Sequence, residues 1–272
     1  MDLLKLKSFY KVNGRVHLPW RKTQDPYKIL VSEIMLQQTQ VDRVLPKYKA
    51  FIHEFPTLKK LAEANFKDVL LLWSGLGYNR RAKFLHEAVK VVLKDHQGRL
   101  PRDVAVLVRL PGIGPYTARA IAAFAYNQPV VFIETNIRTV LFYYFSFLQK
   151  TKKPSHPISD AELLPFVAEA LKKSNMEPRD FYAALMDYGS YLKQSGVRLN
   201  KQSTHYTKQT TFKGSTRQLR GAILRELLVS PQTITELIVN CKRTSVEVQT
   251  ELAHLLQEQL IQKKGKKFAI EG

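Results

Sequence analysis

Gly112-Ile113-Gly114 lies between Pro111 and Pro115 and runs straight into Tyr116-Thr117-Ala118-Arg119-Ala120, a good helix-forming stretch. Glycine reaches backbone angles that other residues avoid, and Pro115 suits the first turn of a helix, so the spacing predicts a tight hairpin that opens a helix. Backbone N–H groups at such a turn, backed by the partial positive charge of a helix N-terminus, form a cradle for a phosphate. A dinucleotide-binding turn fits less well, because the third glycine of its fingerprint is missing and the stretch follows a helical run instead of a strand. A Walker loop fails too, since no Gly-Lys-Ser/Thr ends it. A plain corner between two helices is the bland alternative. The second group with chemical potential is Glu33, which stands among Ile29, Leu30, Ile34, Met35 and Leu36. A carboxyl that faces a core in that company is desolvated, and its neutral, proton-donating form is favoured.

The composition points these groups at a polyanion. Lys and Arg number 43 against 23 Asp and Glu in 272 residues, a formal charge of +20, and the field of such an excess attracts nucleic acid. An anionic membrane is the competitor. No apolar run approaches the roughly 18 residues of a spanning helix, however, and the N-terminal MDLLKLKSFYKV alternates charge with leucine, unlike a signal peptide. A soluble, cytoplasmic protein is therefore expected. Cys241 is the only cysteine, which excludes an internal disulfide and any metal site built from several thiolates of this chain.

The elements that must position the hairpin and Glu33 read as short amphipathic helices. From Asp25 to about Phe147 apolar residues recur at helical spacing, as in Leu30, Ile34, Val41 and Leu45 and again in Phe84, Leu85, Ala88, Val91 and Val92. No alternation of strand and helix is visible, so a parallel sheet is not expected. Two further helices, DAELLPFVAEALKKS and PRDFYAALMDYGSYLK, follow the loop KTKKPSHPIS. Between Asp187 and Glu226 there is no acidic residue, while Lys193, Arg198, Lys201, Lys208, Lys213, Arg217, Arg220 and Arg225 fall in that span. One-sided charge on this scale tracks phosphates, or else marks a solvated linker. The tail, with SPQTITELIVNC, SVEVQTELAHLLQEQLI and IQKKGKKFAIE turning at Gly265, gives helix, helix and basic hairpin. That is the order of a winged helix with its second helix as the reader, and a small helical protein-contact module has the same order.

LPGIGPYTARAIAAFAY resembles the helix-hairpin-helix of the base-excision DNA glycosylases. LPWRKTQDPYKILVSEIMLQQTQV and LLWSGLGYNRRAKFLHEA resemble successive blocks of the adenine glycosylase (MutY-like) branch, so the similarity extends from about Leu18 to Tyr191. It implies a mainly α, two-lobed helical fold with a small winged-helix-like C-terminal domain. Residues 1–28 and 136–225 would form one lobe with a basic linker, 29–135 a six-helix lobe, and 226–272 the tail. By this resemblance Glu33 protonates the base and later deprotonates water, and Glu134, in FIETNIRTV, faces the cationic sugar. The family almost always has Asp at that place, and the extra methylene puts activity in question. Tyr116 stands where strand-cleaving relatives carry a lysine; a phenol with a pKa of roughly 10 forms no Schiff base, so base removal without lyase action is implied. Tyr116 and Asn136 would assist at the sugar and its attacking water, although a tyrosine packed behind the hairpin is the simpler reading of Tyr116.

Gln37, Gln38 and Tyr78 match residues that fill or wedge the space left by a flipped nucleotide, while Tyr78 would serve equally as core. Gly112, Gly114 and Thr117 would grip a backbone phosphate, with a monovalent cation at the hairpin, and Arg21, Arg80 and Arg81 are expected phosphate contacts. Two parts of the family pattern are replaced. Where most relatives place four cysteines for an iron-sulfur cluster, this chain has SGVRLNKQSTHYTKQTTFKGSTRQLRG, which implies a clusterless form with no cofactor. Where adenine glycosylases continue into a domain that recognises 8-oxoguanine, a winged-helix-like tail stands instead. The implied function is a monomeric, nucleoid-associated DNA glycosylase acting on double-stranded DNA, removing adenine opposite guanine or 8-oxoguanine. A thymine or uracil glycosylase for G·T and G·U mispairs, and a DNA-binding module impaired by the Asp-to-Glu change, are the alternatives.

Overall fold

The computed structural model describes residues 1–149, 157–206, 211–212 and 214–271. Most of the KTKKPSHPIS loop, Lys208 and Lys213 lie outside the described residues. In chain order the elements are α1 (Leu3–Asn13), a 3-10 turn (Pro19–Arg21), α2 (Pro26–Leu36), α3 (Val41–Glu54), α4 (Leu58–Glu63), α5 (Phe66–Trp73), α6 (Arg80–Asp95), α7 (Val104–Leu107), α8 (Pro115–Tyr126) and α9 (Thr135–Gln149). Then come α10 (Asp160–Ser174), α11 (Pro178–Gln194), a second 3-10 turn (Asn200–Gln202), α12 (Thr216–Val229), β1 (Gln232–Thr233), α13 (Ile234–Cys241), α14 (Ser245–Gln257), β2 (Ile261–Lys264) and β3 (Lys267–Ile270).

The chain forms two compact units. The first comprises Met1–Leu30, Arg102–Arg109 and Ile113–Lys208. Its core is made where α9 meets α11: Ile137, Val140, Leu141 and Tyr144 pack with Phe181, Leu185, Tyr188 and Leu192. Burying each such side chain contributes roughly 1.5–3 kcal/mol before the entropy of ordering it is counted. Ala120, Ala123 and Phe124 of α8 join this core. The expected six-helix lobe 29–135 therefore does not coincide with a compact unit, because the apolar stripe of α8 is shared with α9 and α11. Asp187, 4% exposed, is compensated inside this unit by Arg15, whose Nη2 lies 2.7 Å from its Oδ1.

The second unit comprises Val31–Pro101, Leu110–Gly112 and Gln209–Gly272. Val44, Tyr48 and Phe51 line the inner face of α3 at helical spacing, and Trp73 of α5 meets the edge of Phe51 at 6.1 Å. The C-terminal part is a winged-helix-like module, with a three-stranded antiparallel sheet in the order β1-β3-β2 behind α12, α13 and α14. Gly265, at φ +61°, turns the hairpin between β2 and β3. The expected tail began at 226, inside what proves to be α12. Leu219, Ile223, Leu224 and Leu227 are buried along one face of that helix, which packs on α13, α14 and β3. Arg217, Arg220 and Arg225 thus belong to the first helix of the module and not to a linker.

Candidate active site

Glu33 sits in the last turns of α2 and is 8% exposed. A helix end leaves its final carbonyls without intrahelical donors, and here Arg81 supplies them. Its Nη1 donates to the carbonyl oxygens of Ile34 (2.7 Å), Met35 (3.0 Å) and Gln37 (2.6 Å), while Nη2 donates to Thr39 Oγ1 (3.0 Å) and the Gly77 carbonyl (3.1 Å). Burial pushes the guanidinium down to about 10, which leaves it charged at neutral pH. Arg81 was expected on a phosphate; instead it is spent on the end of the helix that carries Glu33. Arg21 departs from expectation in the same way. Its side chain is 12% exposed, 3.6 Å from Asp187, and its guanidinium lies over the Phe124 ring. Among the three expected arginines, Arg80 is the one that is exposed, with its guanidinium 4.9 Å from the centre of the Phe84 ring.

The two hairpin glycines do different work. Gly112 has φ +71°, and a Cβ there would lie 2.5 Å from Phe84 Cβ, so both conformation and space require glycine. Gly114 is extended at φ −81°, ψ 173°, a backbone open to any residue, with nothing within 4 Å of a Cβ. It was expected to share the special conformation; what glycine supplies there is a bare N-cap to α8. Pro115 follows at the first helical position. Thr117 is 3% exposed as a whole residue, so it presents almost no surface to an anion. Tyr116 is half-buried, its ring edge-on to Phe132 at 5.7 Å. It borders a cavity of about 500 Å³ together with Arg119 and Asp160.

Glu134 stands immediately before α9 and caps it. The N–H groups of Asn136 and Ile137 donate to its Oε1 at 2.7 and 2.9 Å, and Asn136 Nδ2 donates to Oε2 at 3.1 Å. Asn136 Oδ1 is buried without a hydrogen-bond partner. Burial raises the pKa of the Glu134 carboxyl, against the pull of those two N–H groups and of the Lys193 and Arg138 charges. Desolvation is the largest of these effects, although the residue as a whole is only half-buried. Gly189 of α11 makes the arrangement sterically feasible: a Cβ there would be 2.1 Å from the Asn136 carbonyl oxygen. The sequence reading missed both Lys193 as a partner of Glu134 and the packing role of Gly189. The DYGSYLK run that carries them reads as a helix, and its Lys193 as part of the basic span.

Gln37, Gln38, Tyr78 and Arg80 border one cavity of about 790 Å³ in the second unit. Gln38 and Tyr78 are non-glycine residues in the left-handed region, at φ 52° and 48°. Such conformations cost of order 1–3 kcal/mol each and persist where surrounding structure imposes them. Tyr78 is 37% exposed, so it is not a core residue. Among the described residues no group of three or more His, Cys, Asp and Glu side chains is placed to hold a metal ion. The last turn of α11 and the segment after it present Lys193, Ser195 and Arg198, and the one cysteine of the chain is on α13; this donor set does not fit a four-thiolate cluster.

The family model described as HhH-GPD superfamily base excision DNA repair protein matches residues 31–161. Adenine DNA glycosylase of Mycobacterium tuberculosis is 41% identical over 186 residues, covering 68% of this chain and 59% of that protein. Adenine DNA glycosylase of Mycolicibacterium smegmatis is 42% identical over 192 residues, covering 69% and 61%. The chain thus spans about three fifths of the length of these curated relatives. Among solved structures, a thermostable thymine-DNA glycosylase is similar at a TM-score of 0.60 and 27% identity, covering 75% of this chain and 94% of that one. A non-covalent endonuclease III–DNA complex shares the fold at a TM-score of 0.53 and 15% identity, covering 70% of this chain and 81% of that one.

Proposed function

Because the chain belongs to the helix-hairpin-helix superfamily of base-excision DNA repair proteins, we propose that it is a DNA N-glycosylase that removes adenine mispaired with guanine or 8-oxoguanine. The observation that carries this reading is the Glu134–Asn136 arrangement, a desolvated carboxylate fixed at a helix N-terminus beside a polar amide, in a chain whose sequence relatives are adenine DNA glycosylases. On this reading the mispaired nucleotide is turned out of the stack. Glu33 gives its proton to a purine nitrogen, the N-glycosidic electron pair leaves with the base, and the charge of Glu134 offsets the cationic sugar. Water then adds at C1′ and returns a proton to Glu33. Tyr116 and Asn136 orient the sugar and that water. A phenol forms no imine with the sugar, so the strand stays intact and the product is an abasic site.

The backbone N–H groups at Gly112, Gly114 and the start of α8 take a DNA phosphate. A monovalent cation at this hairpin would meet no carboxylate, since Arg109 to Thr117 includes no acidic side chain. No step is assigned to an iron-sulfur cluster. The similarity to a thymine-DNA glycosylase along 94% of that chain supports a second reading, removal of thymine or uracil opposite guanine. A panel of A·G, A·8-oxoguanine, T·G and U·G duplexes, incubated under single-turnover conditions with and without hot alkali, separates the two. Alkali-dependent cleavage at adenine in the first two duplexes is expected, with a preference between them of no more than about 10-fold. Cleavage confined to T·G and U·G would transfer the assignment to the second reading.

A further inference from the structure

The winged-helix-like module and helices α3–α6 lie in one compact unit, and they share the cavity of about 790 Å³. Gln37, Gln38, Tyr78 and Arg80 line it from the helical part; Phe212 and Arg217 line it from the segment that opens the module. The two parts are joined across this space. Arg217 Nη1 donates to Tyr78 Oη at 3.4 Å, and Lys83 Nζ donates to the carbonyl oxygens of Glu258 (3.0 Å) and Gln259 (3.1 Å). The neighbouring Arg220 is neutralised by Glu251 and Glu258, so its charge serves the module's own packing. Arg217 is half-buried and borders the cavity.

The chemistry of this space suits a flat heterocycle with two acceptors on one edge. Tyr78 and Phe212 offer aromatic faces, Gln37 and Gln38 offer amides, and the Arg217 guanidinium is a planar fork of donors. Guanine presents O6 and N7 side by side to such a fork, and arginine in bidentate contact with that edge is the commonest specific protein–base contact. The volume is ample for one base, and Tyr78 and Gln38, which line it, both have left-handed backbone conformations that non-glycine residues seldom adopt. We infer that the C-terminal module is part of the substrate-reading surface, and that Arg217 reads the O6/N7 edge of the guanine opposite the excised base. This specificity role rests on the mispair reading above and concerns guanine as the opposite base, whether adenine or thymine is excised; 8-oxoguanine, whose N7 carries a hydrogen, would offer the fork only its O6.

The test is binding, which is independent of base removal. Duplexes carry a tetrahydrofuran abasic analogue opposite either guanine or 7-deazaguanine, in which N7 is replaced by C–H, and Kd is measured at one fixed salt concentration. The wild-type protein is expected to bind the guanine duplex at least about 5-fold more tightly, the lower end for one specific base contact. Arg217→Ala should bind the two duplexes equally, and Arg217→Lys should retain most of the affinity through its charge yet lose the discrimination with the fork. No wild-type discrimination, or discrimination kept by Arg217→Ala, would overturn the inference. A uniform loss of affinity in Arg217→Ala with an indifferent wild type would make Arg217 a phosphate contact instead. Failure of base removal on every duplex while discrimination persists would overturn the catalytic reading alone.

Discussion

The Glu134 carboxyl lies between opposing influences. Two backbone N–H groups and the charges of Lys193 and Arg138 oppose the desolvation that raises its pKa, so its ionised fraction falls at a higher pH than for an exposed glutamate. On the proposed mechanism only the carboxylate offsets the cationic sugar, so its raised pKa sets an acid limb on which the single-turnover rate climbs with pH, and the rate should fall again at higher pH once Glu33 gives up the proton it must donate. Lys193→Met removes a charge that favours the anion, so the acid limb of the pH–rate profile should move to higher pH with the plateau rate little changed. A limb that stays in place would mean that Glu134 does not control it. Glu134→Asp should remain active, because a shorter carboxylate is itself a strong helix N-cap, while Glu134→Gln should lose at least about 10²-fold in single-turnover rate, as for loss of one electrostatic contact in an active site. Equal rates for wild type and the Gln variant would place the essential charge elsewhere. The burial of Glu33 was legible from its apolar neighbours alone. Arg21 and Arg81 were not, because a sequence cannot distinguish an arginine turned to solvent from one consumed by Asp187 or by the carbonyls that end α2. Lys193 was hidden for the same reason: in a stretch free of acid it reads as one more phosphate contact.

The close approach of α11 to the start of α9 depends on a single missing Cβ. Gly189→Ala would place that atom 2.1 Å from the Asn136 carbonyl oxygen, and backbone on one side leaves little to yield. The variant should be destabilised by about 1–3 kcal/mol, the usual cost of overpacking. It should also lose at least about 10-fold in single-turnover rate, since displacement of a reacting group by about 1 Å can cost more than that. Denaturant unfolding and kinetics on the same preparation check both; unchanged kinetics in a destabilised variant would separate packing from the site. Helix periodicity made most elements readable, including α8 with its proline start and α14 with its capping box at Thr244 and Glu247. The start of the C-terminal module was not readable. The apolar stripe Leu219, Ile223, Leu224 and Leu227 is interleaved with Arg217, Arg220 and Arg225, and the charge pattern suggested a linker more strongly than the stripe suggested a helix.

A formal charge of +20 acts through the whole molecule, and part of it is concentrated on the β2–β3 hairpin, where Lys263, Lys264, Lys266 and Lys267 are all exposed. Each lysine that neutralises a DNA phosphate adds about 0.9 to the slope of log affinity against log salt. Replacing all four by glutamine should therefore flatten the slope by up to about 3–4 with little change in the rate at saturating protein. An unchanged slope and affinity would instead favour a protein-contact role for the module. Fold class was legible at this scale from composition and helical spacing. The two lobes were implied by the resemblance, but the bounds of the two units were not legible, because they depend on which helix faces pair and not on which helices exist. Adenine excision by a protonating carboxyl is tested most directly by chromatography of the base released from an A·G duplex under single-turnover conditions, for wild type and Glu33→Gln in parallel. Free adenine from wild type with the strand intact before alkali, and release slowed by at least about 10²-fold in the Gln variant with DNA binding retained, is the expected result. No free adenine from wild type, or release from Glu33→Gln at the wild-type rate, would contradict it.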